Sequence, residues 1–446
     1  MRTNGGTHFR CGVLAAALAA SVIASLATAA GKNERYALQA GAAKIDITPS
    51  DLTNLNPFGG GSFTAVHDPI FARALVLSDG VETVAYVSLD VPEVGNMTPL
   101  RQRLEREIGI KSSNIMIAAT HDHSAPRIGK VSPGALAQDG GPESLRYSDW
   151  VFDRVIAVVK SAKAASQPAM FGLGKGAVDI NVNRDQYTPG KGWGLGFDLD
   201  GPSDKRVWVL KFETPSGQPI AVLFDYAVHS NVTFGIKEIS GDLAGAAERY
   251  VEQNGVPGTV ALFAMGAAGD QAPRVFHGGQ RGDIPRDRDL AYQANDAQGV
   301  MLGAEVARVS NSISHPTSKV RVGAAQREAV CPTKQGVGQM ATMTNVQSPT
   351  VTLRLSLLML NEVAIAGVSG EVVTNIYRRI ERESPLANTI LTTIVNDRVG
   401  YLADDAAYDR PIFEVNGSPA ARGCAENAIV DGLTGMIRDQ ALMPVN

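Results

Sequence analysis

Two histidines stand at i, i+2 in Thr120-His121-Asp122-His123-Ser124, directly after the apolar run Asn114-Ile115-Met116-Ile117-Ala118-Ala119. That run reads as a buried strand, so the imidazoles emerge where a strand ends and the chain turns, the usual place for folds to mount chemistry. Such a pair can supply a metal ligand plus a neighbouring acid/base or oxyanion-binding imidazole; the alternative is two surface or hydrogen-bonded histidines. His229 also surfaces at the end of an apolar run, Ala221 to Val228, and two strand-end histidines could share one metal. A hydrolytic zinc site needs three or four protein ligands with a water position left open, so a further group must join them. Glu371, after Ser369-Gly370 at a strand-to-helix junction, is a candidate; its other reading is a first-turn glutamate facing the helix dipole.

The elements that must position these residues are legible in outline. Strand patterns cover Ala43 to Pro49, Val260 to Met265 and Thr389 to Val395. Hairpin signals join 72–77 to 84–90 through Ser78-Asp79-Gly80, and 207–212 to 220–228 through Thr214-Pro215-Ser216-Gly217. Strand runs also cover 351–358 and 362–368, and helical patterns cover 98–108, 147–165, 242–253 and 371–382. Mixed strands and helices with hairpins predict an α/β (α+β) fold of mixed sheets flanked by helices. No linker or repeat divides the chain, which predicts one large catalytic domain over 31–446. Gly172-Leu173-Gly174-Lys175-Gly176-Ala177 loosely matches a dinucleotide loop, but strand rather than helix follows it, so it is read as structural. There is no Gly-x-Ser-x-Gly, His-Glu-x-x-His or Gly-x-x-x-x-Gly-Lys.

The 446 residues are 44% hydrophobic and 19% charged, with a formal net charge of -4 and no basic block. A phosphate-backbone partner needs clustered Lys and Arg, so nucleic acid is excluded in favour of a small or uncharged substrate. Arg2 and Arg10, the Ala-rich run from about Gly12 to Leu26, and Ala27-Thr28-Ala29 predict a signal peptide over 1–30 and export to the periplasm or medium; an uncleaved anchor is the rival. With Cys11 removed, Cys331 and Cys424 are an even pair in an oxidising compartment and are predicted to form a disulfide; the alternative is two unrelated thiols, because spacing does not establish proximity.

A collinear set of landmarks then resembles one family. Thr120-His121-Asp122-His123-Ser124-Ala125-Pro126 is similar to the Thr-His-Thr-His-Ser-Gly-Pro of the neutral ceramidases, zinc amidases that cut the N-acyl bond of ceramide. Asn181-Val182-Asn183-Arg184, Ala227-Val228-His229, Ile239-Ser240-Gly241-Asp242, Gly269-Asp270 with Pro273, Gly370-Glu371 with Arg378-Arg379, and Tyr401-Leu402-Ala403 with Tyr408 follow in the family's order, from about Ala43 to Glu414. The resemblance implies one zinc ion held by His121, His229, Glu371 and Tyr401. It also implies His123 facing the substrate carbonyl, Arg184 orienting polar groups of the substrate, Tyr408 beside it, and either His123 or Tyr401 as the acid that protonates the leaving amine. The expected substrate is ceramide-like, which would bring the protein into peripheral contact with a membrane; loops 50–66 and 128–147 are the expected walls of its channel. Asp90, Asp242 and Asp270 could orient the ligand imidazoles or act as cap and turn residues.

Three departures bear on substrate rather than on zinc. Phe413-Glu414 stands where the family has Tyr-Glu, so a phenol is missing. Asp122 replaces a threonine between the two histidines, which would add a charge beside the metal, and the chain ends before the family's C-terminal immunoglobulin-like domain. Two alternatives therefore stand beside ceramide hydrolysis: a zinc hydrolase of a smaller soluble amide, ester or lactone, and a non-catalytic binding protein on the same scaffold.

Overall fold

The computed structural model describes residues 37–55, 61–135, 141–254, 258–275, 287–334 and 348–442. The expected signal peptide and parts of loops 50–66 and 128–147 lie outside them. Strands β1 (Gln39–Asp46), β2 (Phe71–Ser78), β3 (Thr83–Leu89) and, after helix α1 (Thr98–Ile108), β4 (Ile115–Ala119) form a first sheet in the order β4-β3-β2-β1. Its pairs are antiparallel except β3 with β4, which α1 connects as a parallel crossover. Helix α2 (Pro142–Ala164) packs on β1 and β2.

A second sheet follows: β5 (Met170–Ala177), β8 (Arg206–Glu213), β9 (Pro219–Tyr226) and, after α3 (Asp242–Asn254), β10 (Val260–Met265), in the order β10-β9-β8-β5. Between β5 and β8 runs a hairpin of β6 (Asn181–Thr188) and β7 (Gly192–Asp198), whose β6 edge pairs with β11 (Gln271–Pro273). Helix α4 (Arg288–Ser312) lies against α3, β5 and β8. The last sheet contains β12 (Val322–Pro332), β13 (Thr350–Leu360), β14 (Val363–Val368) and β16 (Asn388–Thr392). A two-residue strand β15 (Glu371–Val372) and helix α5 (Thr374–Glu383) separate β14 from β16, then come β17 (Tyr401–Leu402) and helix α6 (Ala425–Ala441).

Alternation along the strands explains how the sheets stack. Ala72, Ala74 and Val76 of β2 and Val222, Phe224 and Tyr226 of β9 join the core beneath α1 to α4. Their neighbours Leu75, Leu77, Ala221 and Leu223 join a second core with Leu358 and Ile365 of the last sheet. Because side chains leave a strand on alternate faces, both sheets are apolar on both sides. A third core lies between the last sheet and α5 and α6. Each buried aliphatic or aromatic side chain contributes about 1.5–3 kcal/mol, the quantity that specifies this arrangement of layers.

Two expectations are settled here. The glycines of 172–176 lie along β5, where a Cβ on Gly172 or Gly174 would sit 2.4 or 2.5 Å from Ile313 or Val309; they let α4 approach the sheet and cradle no cofactor. Cys331, in β12, is disulfide-bonded to Cys424, at the start of α6, across 93 residues. No helix among the described residues is long and apolar enough to cross a membrane.

Candidate metal centre and active site

Strand β4 delivers the first two histidines. Beyond it Thr120 N–H donates to Leu89 O and Asp122 N–H to Val91 O, so the turn is pinned to the end of β3. His121 adopts φ +60°, a left-handed conformation that costs a non-glycine residue about 1–3 kcal/mol and that tertiary contacts must hold in place. His123 N–H donates to Ser230 O, and Asp122 bridges to Ser230, which lays this turn against the segment carrying His229. On the far side Asn181 Nδ2 donates to Ala227 O (2.6 Å), and β6 pairs with β11, which places Arg184 beside His229.

The imidazoles are oriented by backbone carbonyls. His121 Nδ1 lies 2.6 Å from Pro92 O, and His229 Nδ1 lies 2.9 Å from Gln271 O. A carbonyl only accepts, so each Nδ1 carries the hydrogen and, in the neutral ring, each Nε2 presents its lone pair. Both Nε2 atoms stand 3.2 Å from one atom, Glu371 Oε2, which is buried without a hydrogen-bond donor. Lone pairs converging in a buried space repel one another unless a cation joins them; Arg184 Nη1 reaches only His229 Nε2 (3.2 Å), whereas a metal ion would join all three. The residues therefore fit a metal ion. His123 Nε2 is 3.1 Å from His121 Nε2, and ligand atoms of His121, His123 and His229 all lie within 4.8 Å of one another, so a three-histidine group that could hold a metal is present.

The electrostatics favour the neutral form for two of the three rings and an ion pair with Glu371 for His121. Burial, reinforced by Arg184, drops the His229 pKa to about 3, and burial with the other two imidazoles holds His123 well below its ordinary value, so both rings are neutral. Burial opposes charge on His121 and on Glu371, but their attraction for each other outweighs it, raising the first and lowering the second.

Glu371 is positioned by a device that periodicity did not reveal. Instead of opening the helix, it sits in β15 paired in parallel with Tyr401, and α5 starts three residues later. Tyr401 N–H donates to Gly417 O, and its buried ring meets Phe413 edge to face at 5.5 Å. Arg184 lies between the two rings, its Cζ 5.3 Å from the Tyr401 centroid and 5.4 Å from that of Phe413. Its Nε donates to Glu414 Oε1 (2.7 Å), Nη1 reaches His229 Nε2 (3.2 Å), and Nη2 is buried without a partner. Glu414 was visible in the sequence only as the neighbour of a substitution; its role as the anchor of Arg184 depends on folding.

The remaining candidates are placed as follows. Tyr408 directs its hydroxyl to Ser418 Oγ (3.0 Å) and Ala420 O (2.8 Å) and packs on Ala403, Ala407, Ile412 and Val415. Asp122 accepts from Ser124 N–H (2.8 Å), and burial, followed by Asp242, pushes its carboxyl well above the usual range, which disfavours charge beside the histidines. Asp90 binds Arg73, Asp242 receives Val232 and Thr233 N–H, and Asp270 receives Thr374 and Asn183. The imidazole acceptors are thus carbonyls, and these aspartates hold backbone and core. Between residues 46–55 and the first turns of α2 lies a cavity of about 690 Å³, lined by Leu55, Tyr147 and Trp150 but also by Asp46, Asp51, Glu143, Arg146 and Arg154; none of the histidine cluster lines it.

A sequence model of the neutral/alkaline non-lysosomal ceramidase N-terminal domain matches residues 39–284, more than half of the chain. The chain belongs to this ceramidase family. Neutral ceramidase A of Dictyostelium discoideum is 28% identical over 289 residues, 58% of this chain and 39% of its own length. The neutral ceramidase of Pseudomonas aeruginosa is 27% identical over 253 residues, 53% of this chain and 37% of its own length. The matched stretches thus span less than two-fifths of these relatives. The ceramidase fold extends further: the crystal structure of the Pseudomonas aeruginosa neutral ceramidase superimposes on 92% of this chain and 75% of its own, with a TM-score of 0.72 at 18% identity. A ceramidase complexed with C2 gives a TM-score of 0.69 at 17% identity.

Proposed function

We propose that this protein is an exported zinc-dependent amidase that hydrolyses the N-acyl bond of ceramide or a related N-acyl lipid. The observation that carries the reading is the convergence of two Nδ1-anchored imidazoles on the orphaned Oε2 of Glu371. His121, His229 and Glu371 would hold the ion, with Tyr401, the strand partner of Glu371, as the fourth ligand. Zinc in such a site lowers the pKa of water and acts as a Lewis acid toward a carbonyl. Membership of the ceramidase family supports the amide as the bond cut. The disulfide supports an oxidising compartment and hence export.

The chain's own residues supply the rest. His123, kept neutral, offers a ring nitrogen to the substrate carbonyl as negative charge develops there, and can take up a proton and return it to the departing amine. Arg184 is immobilised by Glu414 and by two aromatic faces, leaving Nη2 to orient a polar group of the substrate. Burial of the whole set excludes bulk water and strengthens each of these interactions.

A second reading keeps the zinc and changes the substrate to a smaller soluble amide, ester or lactone. It is supported by Phe413, which stands where the family has a tyrosine and so removes a phenol from the site. The deciding experiment is metal analysis of the purified protein followed by hydrolysis assays on ceramide and on short N-acyl amides, with and without chelator. Zinc at one per chain with chelator-sensitive ceramide turnover is expected. Turnover of short substrates alone would establish the second reading, and absence of zinc or of a chelator effect would overturn both.

A further inference from the structure

Behind the last sheet is a small cavity of about 120 Å³ with an unusual lining: Arg101 from α1, Gln326 and Arg327 from β12, Arg354 and Ser356 from β13, and Asn396. The single acid among the described lining residues, Glu328, pairs with Arg354 and is itself mostly exposed. Arg354 is also paired with Asp397 (3.1 Å) and Arg327 lies 3.9 Å from Asp439, so the positive charge that lacks an ion pair is that of Arg101.

Arg101 is not an ordinary surface charge. It is only 5% exposed. Its guanidinium donates to Ser112 O (3.1 Å), Gln326 Oε1 (2.5 Å) and Thr98 Oγ1 (3.4 Å), all neutral acceptors, and its Nε is buried with no partner. Burial, and then the charge of Arg354, pull its pKa down to about 10, with Asp397 offsetting them only in part, the direction expected of a cation with no carboxylate in direct contact. A buried charge without an ionic partner is strongly disfavoured, and a bound anion is the simplest way to compensate it.

The other groups suit the same guest. Ser356 Oγ accepts from Asn396 Nδ2 (3.0 Å), which leaves its own hydrogen for a further acceptor. Arg354 is held at Nε by Asp397 (3.1 Å), so its remaining donors are aimed rather than free to swing. Guanidinium forks match the paired oxygens of tetrahedral oxyanions. A cavity of about 120 Å³ has room for such an ion.

We propose that this cavity is a binding site for a small oxyanion of the phosphate or sulfate class, held by Arg101, Arg327 and Arg354 with Ser356 as a neutral donor. The site shares no residue with the histidine cluster, but it is wired to it. Asn396 accepts Ile117 N–H (3.0 Å) and donates to Ile115 O (3.2 Å) on β4, the strand that delivers His121. Asp397, gripped by Arg354, lies four residues before Tyr401. The ion thus ties the last sheet to the two segments on which the metal centre is mounted.

The test is thermal unfolding of the full protein in potassium phosphate, potassium sulfate and potassium chloride at equal ionic strength, with Arg101→Met and Arg354→Gln beside the wild type. Phosphate or sulfate should raise the melting temperature of the wild type by a few degrees over chloride, and both variants should lose that gain. Arg101→Met should also be at least as stable as the wild type in chloride, because it deletes an uncompensated charge. Hydrogen exchange on the wild type gives a readout that needs no variant: phosphate should slow exchange at 98–101, 326–328, 354–356 and 394–397. Equal melting in phosphate and chloride, or a gain that survives Arg101→Met and so arises elsewhere, such as at a metal, would overturn the proposal. So would stabilisation by phosphatidic acid vesicles but not by the free ions, which would make the guest a lipid headgroup.

Discussion

Glu371 and Tyr401 are direct partners in a parallel pairing only two residues long, closed by Glu371 N–H donating to Gly400 O at 3.0 Å. Thirty residues apart in sequence, they are set on one rigid backbone unit, and the spacing of their side chains is fixed before any ligand arrives. The pairing is possible because Gly370 has no side chain: a Cβ there would lie 2.7 Å from Leu402 Cδ1 and 2.8 Å from Gly400 O. Gly370→Ala should therefore separate the strands. The expected outcome is a loss of about tenfold or more in metal affinity, comparable with losing a partner that orients a ligand, with the far-ultraviolet spectrum retained. Competitive zinc titration measures it.

The three histidines should separate by metal content. His121→Ala and His229→Ala are expected to purify with substoichiometric zinc and to be inactive. His123→Ala should keep one zinc per chain while losing about 100-fold or more in kcat, the usual scale for a lost oxyanion donor or acid/base group. Zinc analysis and kinetics on the same preparations check this; zinc lost in His123→Ala would instead make all three imidazoles ligands.

Asp185 shapes the pH dependence of stability. Burial, and then Glu414, push its carboxyl from 3.8 up to about 9, so the folded protein holds a proton that the unfolded chain has released. Between about pH 4 and 9 the native state binds more protons, and stability declines as pH rises through that window. Asp185→Asn, which fixes the neutral form, should flatten the decline. Denaturant unfolding at pH 5, 7 and 8.5 would show parallel slopes for both proteins if the carboxyl plays no such part.

The Cys331–Cys424 bond closes 93 residues that include β13, β15 and β17, and with them Glu371 and Tyr401. Opening so long a loop in the unfolded chain is entropically favourable, so Cys424→Ser should destabilise the protein by about 2–4 kcal/mol. Urea unfolding of oxidised wild type and variant measures the difference.

By itself the sequence determined the elements whose own side chains declare their period: the hairpins at 71–89 and 206–226, helix α1, strand β10, the strand-end placement of His121 and His229, and the cysteine pair. These rest on local alternation, turn chemistry and composition, which act over a few residues. Helices α4 and α6 and the β6–β7 hairpin were not legible. In α4 the contact with α3 is made by Gly299 and Gly303 while Leu290, Val300 and Met301 remain exposed, so hydrophobic periodicity points nowhere. Only the tertiary structure decided that Glu371 is a strand residue facing Tyr401 and that Glu414 anchors Arg184. It also decided that Pro92 and Gln271 carbonyls, rather than aspartates, set the imidazoles, and that Asp122 is buried and bound to Ser124 N–H. Each of these depends on which distant segments share a space and on how dry that space is, and no window of local sequence records either quantity.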